Sequence, residues 1–429
     1  MSRMPAGWTG PPARSDGRRA GRRGLVVGVL LTVSVGAGCS ATPVSQDVPV
    51  GAGPATSPAG TARAGSGTSP AGTTRGPGAL SWPAPPTTRL PTATAASMQR
   101  EMQRWIDKGL LPGVTAAVVT PQGVWSGAAG VDGAGTALVP TSGMALGGVT
   151  VTFTAAELML LAEQGKVDLD ALASTYVRAR QLANRVTVRQ LMAQRAGIPD
   201  AGDGRSATAY AHLDQHWSPQ DALAAVATAT QAPGKEFHYD NTNYVLLGLV
   251  IDAARRTDTA TALREDLWEP LGLARLAYQD QEALAAPLAR PGPDEDLPHG
   301  VPAGPVIPSR SVASAVGASG GVAGDAESTA RWGYDLYGAR LLTPESVAQL
   351  ADFSDGDGYG LGTIDYAALN PRASIDGIGH PGGMPGYRSV LAVYPDQQVS
   401  VAILTPSTVD AVPYVKWLVK AGQLVGATP

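Results

Sequence analysis

The sequence predicts an α+β fold, on three observations: strand-like apolar runs lie near both ends of the folded part, apolar helices lie between them, and a long N-terminal stretch belongs to neither. Strands at both ends around a helical middle imply that the two ends of the domain meet in one antiparallel sheet flanked by helices. With 44% hydrophobic residues over 429 positions the chain has ample material for a core.

The elements follow in chain order. Residues 1–38 read as an export signal: Arg14, Arg18, Arg19, Arg22 and Arg23 form a basic head, and Leu25 to Val35 is an apolar run. That run is shorter than the roughly 20 residues a helix needs to span a bilayer. Arg22-Arg23 leaves the twin-arginine and general export routes both open. The run ends in Val35-Gly36-Ala37-Gly38-Cys39, which resembles a bacterial lipobox, with Gly36 where an aliphatic residue is usual. The resemblance implies cleavage before Cys39 and lipidation of its sulfur. The expected location is the outer side of the cytoplasmic membrane, with a secreted form as the alternative. Cys39 is the only cysteine, so an intrachain disulfide is impossible. Residues 39–92 form an Ala/Gly/Pro/Ser/Thr-rich linker in which Ser57-Pro58-Ala59-Gly60-Thr61 recurs as Ser69-Pro70-Ala71-Gly72-Thr73. Such composition cannot bury enough apolar surface to order itself, and as a tether of about 50 residues it would reach about 40 Å.

The folded domain is expected over 93–429. Met98, Met102, Trp105 and Ile106 recur at helical spacing, Val114 to Val119 and Val124 to Gly130 read as a strand pair, and Phe153 to Gln164 reads as a buried helix. Asn241 to Arg255 is a second helix, apolar nearly all round. Ser389 to Tyr394 and Val399 to Thr405 read as strands joined by a Pro395-Asp396 turn, and Ala411 to Val425 as a closing helix. Residues 1–38 carry six Arg against one Asp, which leaves a formal −9 on the remainder of a chain whose total is −4. That balance excludes a nucleic-acid binder, whose affinity rests on a basic footprint. His212, Asp214, His216 and His238 lack metal-ligand spacing, and no cofactor motif is present.

The chemistry-bearing segment is Met144-Ala145-Leu146-Gly147-Gly148-Val149-Thr150-Val151-Thr152-Phe153-Thr154. It resembles the segment in which serine β-lactamases and penicillin-binding proteins carry S-x-x-K, with Gly148 in the serine place and Val151 in the lysine place. Further segments occur in the order of that family, which includes class C β-lactamases, D-alanyl-D-alanine carboxypeptidases and esterases. They are Leu111-Pro112-Gly113-Val114, Gly165-Lys166-Val167-Asp168, Thr187 to Pro199, Tyr239-Asp240-Asn241 for Y-x-N, and His380-Pro381-Gly382-Gly383 for H-T-G. Within Thr187 to Pro199, Gln194 and Ala196 stand where the family has His and Ser. The resemblance covers roughly residues 98–425 and implies a β-lactamase/transpeptidase-like fold.

It also implies a mechanism that this chain lacks the groups to run. In the family a serine hydroxyl attacks an acyl carbonyl while a lysine one turn on removes its proton. Glycine has no attacking atom and valine no titratable group; loss of a nucleophile from a comparable site costs roughly 10⁶ in turnover. The five lysines are preceded at three residues by Trp105, Glu163, Ala232, Pro413 and Trp417, so no shifted S-x-x-K exists. The resemblance places Gly148, Tyr239, Asn241, His380, Gly382 and Gly383 in the cleft, with the Gly148 and Gly383 amides as its oxyanion hole. A tyrosine whose hydroxyl is satisfied in the core is the bland reading of Tyr239, with Asn241 capping the next helix. The expectation is a catalytically inactive protein whose cleft binds a peptidoglycan fragment, another acyl ligand, or a protein partner. The alternatives are an enzyme with a displaced nucleophile, for which Ser142, Thr150 and Thr152 lie closest, and a structural envelope module. If only the two side chains are missing, Gly148→Ser with Val151→Lys should restore slow acylation.

Overall fold

The computed structural model describes residues 81–200, 209, 212–224, 226–229, 231–292, 310–369 and 375–425. The expected signal, Cys39 and most of the linker lie outside the described residues.

Nine strands form two sheets among the described residues. They are β1 (Gly113–Thr120), β2 (Gly123–Gly130), β3 (Met144–Ala145), β4 (Ala277–Tyr278), β5 (Val322–Gly324), β6 (Ile364–Asp365), β7 (Ile378–Met384), β8 (Tyr387–Tyr394) and β9 (Val399–Thr405). The main sheet runs β2-β1-β9-β8-β7-β6 and the small one β3-β5-β4. Strand β1 pairs antiparallel with β9, Thr115 opposite Leu404, so the two ends of the domain do meet in one sheet. Five helices exceed ten residues: α1 (Thr92–Asp107), α2 (Thr150–Glu163), α3 (Asn241–Arg255), α4 (Ala326–Tyr337) and α5 (Val412–Gly422).

The central strands read as continuous apolar runs because both of their faces are covered. Val114, Ala116, Val118, Val390, Ala392, Val401 and Ile403 point into one cluster with Met98, Met102, Trp105 and Leu418 of α1 and α5. The alternate residues Ala117, Val119, Leu391, Val393, Ala402 and Leu404 point into the other, with Phe153, Trp332 and the helical middle. There Phe153 stacks on Trp332 at 4.5 Å and meets Trp268 edge-on at 5.7 Å. This seats α2 firmly under the sheet.

Packing starts before residue 93. Leu90 N–H donates to the Val124 carbonyl at 3.0 Å, and Trp82 N–H donates to Gly338 at 2.8 Å while its ring meets Tyr334 at 5.0 Å. Residues 82–90 therefore strap the domain although their proline-rich composition reads as linker.

The small sheet holds the start of α2. Leu146 N–H donates to Val322 at 2.9 Å, Thr150 Oγ1 accepts from Val322 N–H at 3.1 Å, and Thr154 Oγ1 donates to the Ala318 carbonyl at 2.7 Å. The 3₁₀ turn Gly147–Val149 that leads into α2 is thereby fixed against β7.

Candidate active site

Gly148 sits in that turn, and β7 runs beside it. The turn Pro385-Gly386 makes Met384 and Tyr387 a pair, so Gly382 and His380 turn their amides to β8 while Gly383 presents its N–H to the opposite edge. That edge faces the turn. Gly147 adopts φ +50°, and a Cβ there would lie 2.6 Å from both N and O of Gly383. Only glycine permits this approach. Ser389 Oγ donates to the Leu146 carbonyl at 2.7 Å and ties β8 to the same turn. Gly382 is buried against it, whereas Gly383 is exposed and Gly148 half-buried.

The space that a side chain at Gly148 would need is taken. A Cβ there would lie 2.7 Å from the Pro381 carbonyl oxygen, 3.1 Å from His380 Cε1 and 3.2 Å from its Nδ1. A side chain at position 148, where the resemblance puts the family's serine, would therefore meet the His380-Pro381 segment, which counts against a cleft that lacks only two side chains. His380 is buried, and burial lowers its pKa to about 4, opposed in part by a 2.6 Å contact from Nδ1 to the Pro381 carbonyl. A carbonyl only accepts, so Nδ1 carries the proton. The neutral ring then leaves Nε2 as a bare acceptor, buried and without a hydrogen-bond partner among the described residues.

Around His380 stand Tyr239 at 5.7 Å and Tyr359 at 6.0 Å, ring centre to ring centre, with Phe237 against Tyr359 at 5.2 Å. Tyr239 and Tyr359 are themselves 6.1 Å apart, so three rings close on one another where the cleft would deepen. Burial raises the Tyr239 pKa above the ordinary phenol value, with the Asp200 and Asp240 charges adding to it. That is the wrong direction for a proton acceptor at neutral pH. Tyr239 is partly buried, and its hydroxyl has no hydrogen bond among the described residues. Asn241 is the first residue of α3 and half-buried. Asp240 takes the cap position instead, its carboxylate 2.9 Å from His238 Nδ1. Gln194, in a left-handed conformation (φ +57°), accepts the Asp240 N–H at 3.1 Å and the Asn243 amide at 2.5 Å. It thus organises the start of α3 from the family's histidine place. Tyr359, Phe237 and the role of Gln194 were not foreseen, because nothing local in sequence links these segments.

Val151 is fully buried in the core. A Cβ built on the neighbouring Gly362 would lie 3.3 Å from Val151 Cγ1 and 2.8 Å from the Tyr244 hydroxyl. That hydroxyl donates to the Met192 carbonyl at 3.0 Å. The lysine place is therefore an ordinary apolar site beside a committed tyrosine. The hydroxyls nearest in sequence are also engaged. Thr150 Oγ1 serves β5, Thr152 Oγ1 donates to Val149 at 2.8 Å and accepts from Trp332 Nε1 at 2.9 Å, and Ser142 Oγ accepts from Val139 N–H at 3.0 Å. Three cavities among the described residues, of about 580, 500 and 10 Å³, are lined by none of the predicted cleft residues. Of the histidines set aside as metal ligands, His216 pairs with Asp280 at 2.6 Å and His238 with Asp240.

An antiparallel sheet from both chain ends, a buried helix following a glycine turn, and β7 along that turn define the β-lactamase/transpeptidase-like fold. Residues 98–421 match the beta-lactamase family, and the chain belongs to it. Penicillin-binding protein 4 of Amycolatopsis lactamdurans is 28% identical over 330 residues, or 69% of this chain and 81% of that protein. The D-stereospecific amidohydrolase from Streptomyces sp. superposes with a TM-score of 0.63 at 24% identity, covering 75% of this chain and 97% of that one. The D-amino acid amidase from Ochrobactrum anthropi SV3, solved with D-phenylalanine, gives 0.66 at 19% identity, covering 77% and 99%. The two structures share the fold; the family is of serine-hydrolase type.

Proposed function

We propose that this protein is a catalytically silent member of the beta-lactamase family, exported and held at the outer side of the cytoplasmic membrane through a lipid on Cys39. One observation carries the silent reading: His380 and the Pro381 carbonyl stand where a side chain at position 148 would have to be. The buried Val151 and the structural hydrogen bonds of Thr150, Thr152 and Ser142 argue against a displaced nucleophile with a base beside it. What remains of the cleft is its rim. The exposed Gly383 and half-buried Gly148 support a second reading, in which their amides receive the carbonyl of a peptidoglycan fragment or another acyl ligand without bond cleavage. A protein partner seated on the same rim is the remaining form of that reading.

Intact-mass spectrometry after incubation with a reactive penicillin, together with a chromogenic β-lactam assay, tests the first reading. No adduct and no turnover are expected, and a mass increase mapped to any Ser or Thr overturns it. A rise in melting temperature with an acyl-D-Ala-D-Ala peptide would support ligand binding at the rim, and its absence would favour a structural envelope module.

A further inference from the structure

The chain is acidic beyond its first 38 residues, yet one face of the folded domain is basic. Helices α1 and α5 lie side by side, and the groove of about 500 Å³ between them is lined by Arg100, Arg104, Lys108 and Lys420 with a single acid, Glu101. Glu101 is spent locally, paired with Arg104 and accepting Trp105 Nε1 at 2.9 Å. Arg100, Arg104 and the cap residue Lys108 recur at every fourth position along α1 and just past its end, on one exposed stripe, and Lys416 stands one turn before Lys420 on α5. Asp107 adds a nearby acid on α1, engaged by the Gln103 amide at 2.9 Å. Three of the chain's five lysines therefore lie on α5 or at the C-terminal cap of α1.

The same groove gathers exposed apolar surface. Of the six large apolar side chains that are exposed among the described residues, two, Leu110 and Trp417, line it. Cations flanking an exposed tryptophan and a leucine match a bilayer interface, where indole rings settle at headgroup depth and basic side chains meet anionic lipid. No helix among the described residues is long and apolar enough to cross a membrane, so contact through this face would be peripheral.

We propose that the α1–α5 groove is a docking surface for an anionic lipid bilayer, with Trp417 and Leu110 entering the interface and Arg100, Lys108 and Lys420 meeting headgroup phosphates. Each basic residue near such a surface contributes about fivefold in affinity, a gain that salt screens. The surface acts independently of any lipid on Cys39. A tether attached there would strengthen it by raising the local concentration of membrane.

Lysine footprinting of the full chain tests this directly, because Lys166 and Lys235 are exposed elsewhere and serve as internal references. Acetylation rates are measured with and without vesicles of phosphatidylglycerol, and with phosphatidylcholine vesicles as the neutral comparison. Phosphatidylglycerol should slow Lys108 and Lys420 at least threefold relative to Lys166 and Lys235. The effect should vanish in 1 M salt and with phosphatidylcholine. Replacing two exposed cations together, Arg100→Gln and Lys420→Gln, should abolish the protection of Lys108 while leaving the melting temperature unchanged. The proposal is overturned if all four lysines slow equally, as binding through the basic N-terminal segment alone would produce, or if none slows. Protection by soluble poly(glycerol phosphate) without protection by vesicles would also overturn it, and would assign the groove to a polymer.

Discussion

Placing a serine at position 148 should destabilise the fold rather than restore chemistry. Ordinary van der Waals contact begins at 3.4 Å, so the new Cβ is about 0.7 Å too close to the Pro381 carbonyl oxygen and slightly too close to the His380 ring. Strand β7 cannot simply recede, since residues Ile378 to Met384 are all paired with β8. The turn cannot retreat either, being held by Ser389 and Val322. Overpacking of this kind costs about 1–3 kcal/mol. For a domain of this size that corresponds to a fall of roughly 2–4 °C in melting temperature. His380→Ala should recover part of that loss, because it removes the ring contact and leaves the carbonyl contact. The double variant Gly148→Ser/Val151→Lys should melt lower still, with an amine buried in an apolar site, and should form no penicillin adduct while His380 is in place. Calorimetry and intact-mass spectrometry on the same preparations give both readouts. An unchanged melt for Gly148→Ser, or an adduct on the double variant with His380 intact, would show that the cleft is open and that the occupied-site argument is wrong.

Further outcomes follow from buried titratable groups and from the N-terminus. Because the His380 pKa falls from 6.5 to about 4 in the folded protein, the unfolded chain binds the proton more readily in that window. Its contribution to stability is therefore lost as pH drops from about 6.5 to 4, by about 1.4 kcal/mol per unit; His380→Gln should flatten that limb of a melting-temperature profile. Glu157 behaves oppositely: burial and the Asp266 charge raise it from 4.5 to about 8, against the pull of Arg255 at 3.9 Å. The folded state holds that proton more tightly, so stability declines as pH rises from about 4.5 to 8, at about 1.4 kcal/mol per unit. Glu157→Gln should consequently melt above the parent at pH 8 or higher, and a variant that melts lower there would refute the assignment. Cys39→Ala should move the protein from the membrane fraction to the soluble or secreted fraction at physiological salt, read by fractionation and immunoblot; unchanged partition with normal processing would place the main attachment elsewhere.

Much of the frame was legible because its signals are local. The nearly continuous apolar run from Val114 to Val119 is what a strand covered on both faces produces, and it marked β1 before any partner was known. Asn241 to Arg255 was bounded correctly, and Gly148 and Val151 could be placed because their neighbours keep the family's frame. What stayed hidden depends on contacts far apart in the chain. His380 meets Tyr239 and Tyr359 from separate segments, and no periodicity within any of them forecasts that meeting. Strands β3, β4 and β5 span only two or three residues, too few to show a period. Trp82 and Leu90 were hidden for a different reason. A Pro-rich strap is held by a few backbone bonds and one ring contact, none of which its composition announces.

The replacements at the site are physically consistent as a group. A lysine left at 151 without its serine would be a buried cation needing a partner, and such a group costs several kcal/mol or loses its charge. Valine removes that demand and joins the core. Glycine at 148 then leaves room at the head of α2 that His380 occupies in its neutral form, as its depressed pKa requires. His380 Nε2 is one of the buried polar atoms left without a hydrogen-bond partner among the described residues. On the proposed silent reading, the surfaces the domain still presents are the rim at Gly148 and Gly383 and the basic groove between α1 and α5. Helices α1 and α5 pack against one face of the main sheet and α2 against the other, and the Tyr359, Phe237 and Tyr239 rings beside His380 join the cluster of α1 and α5.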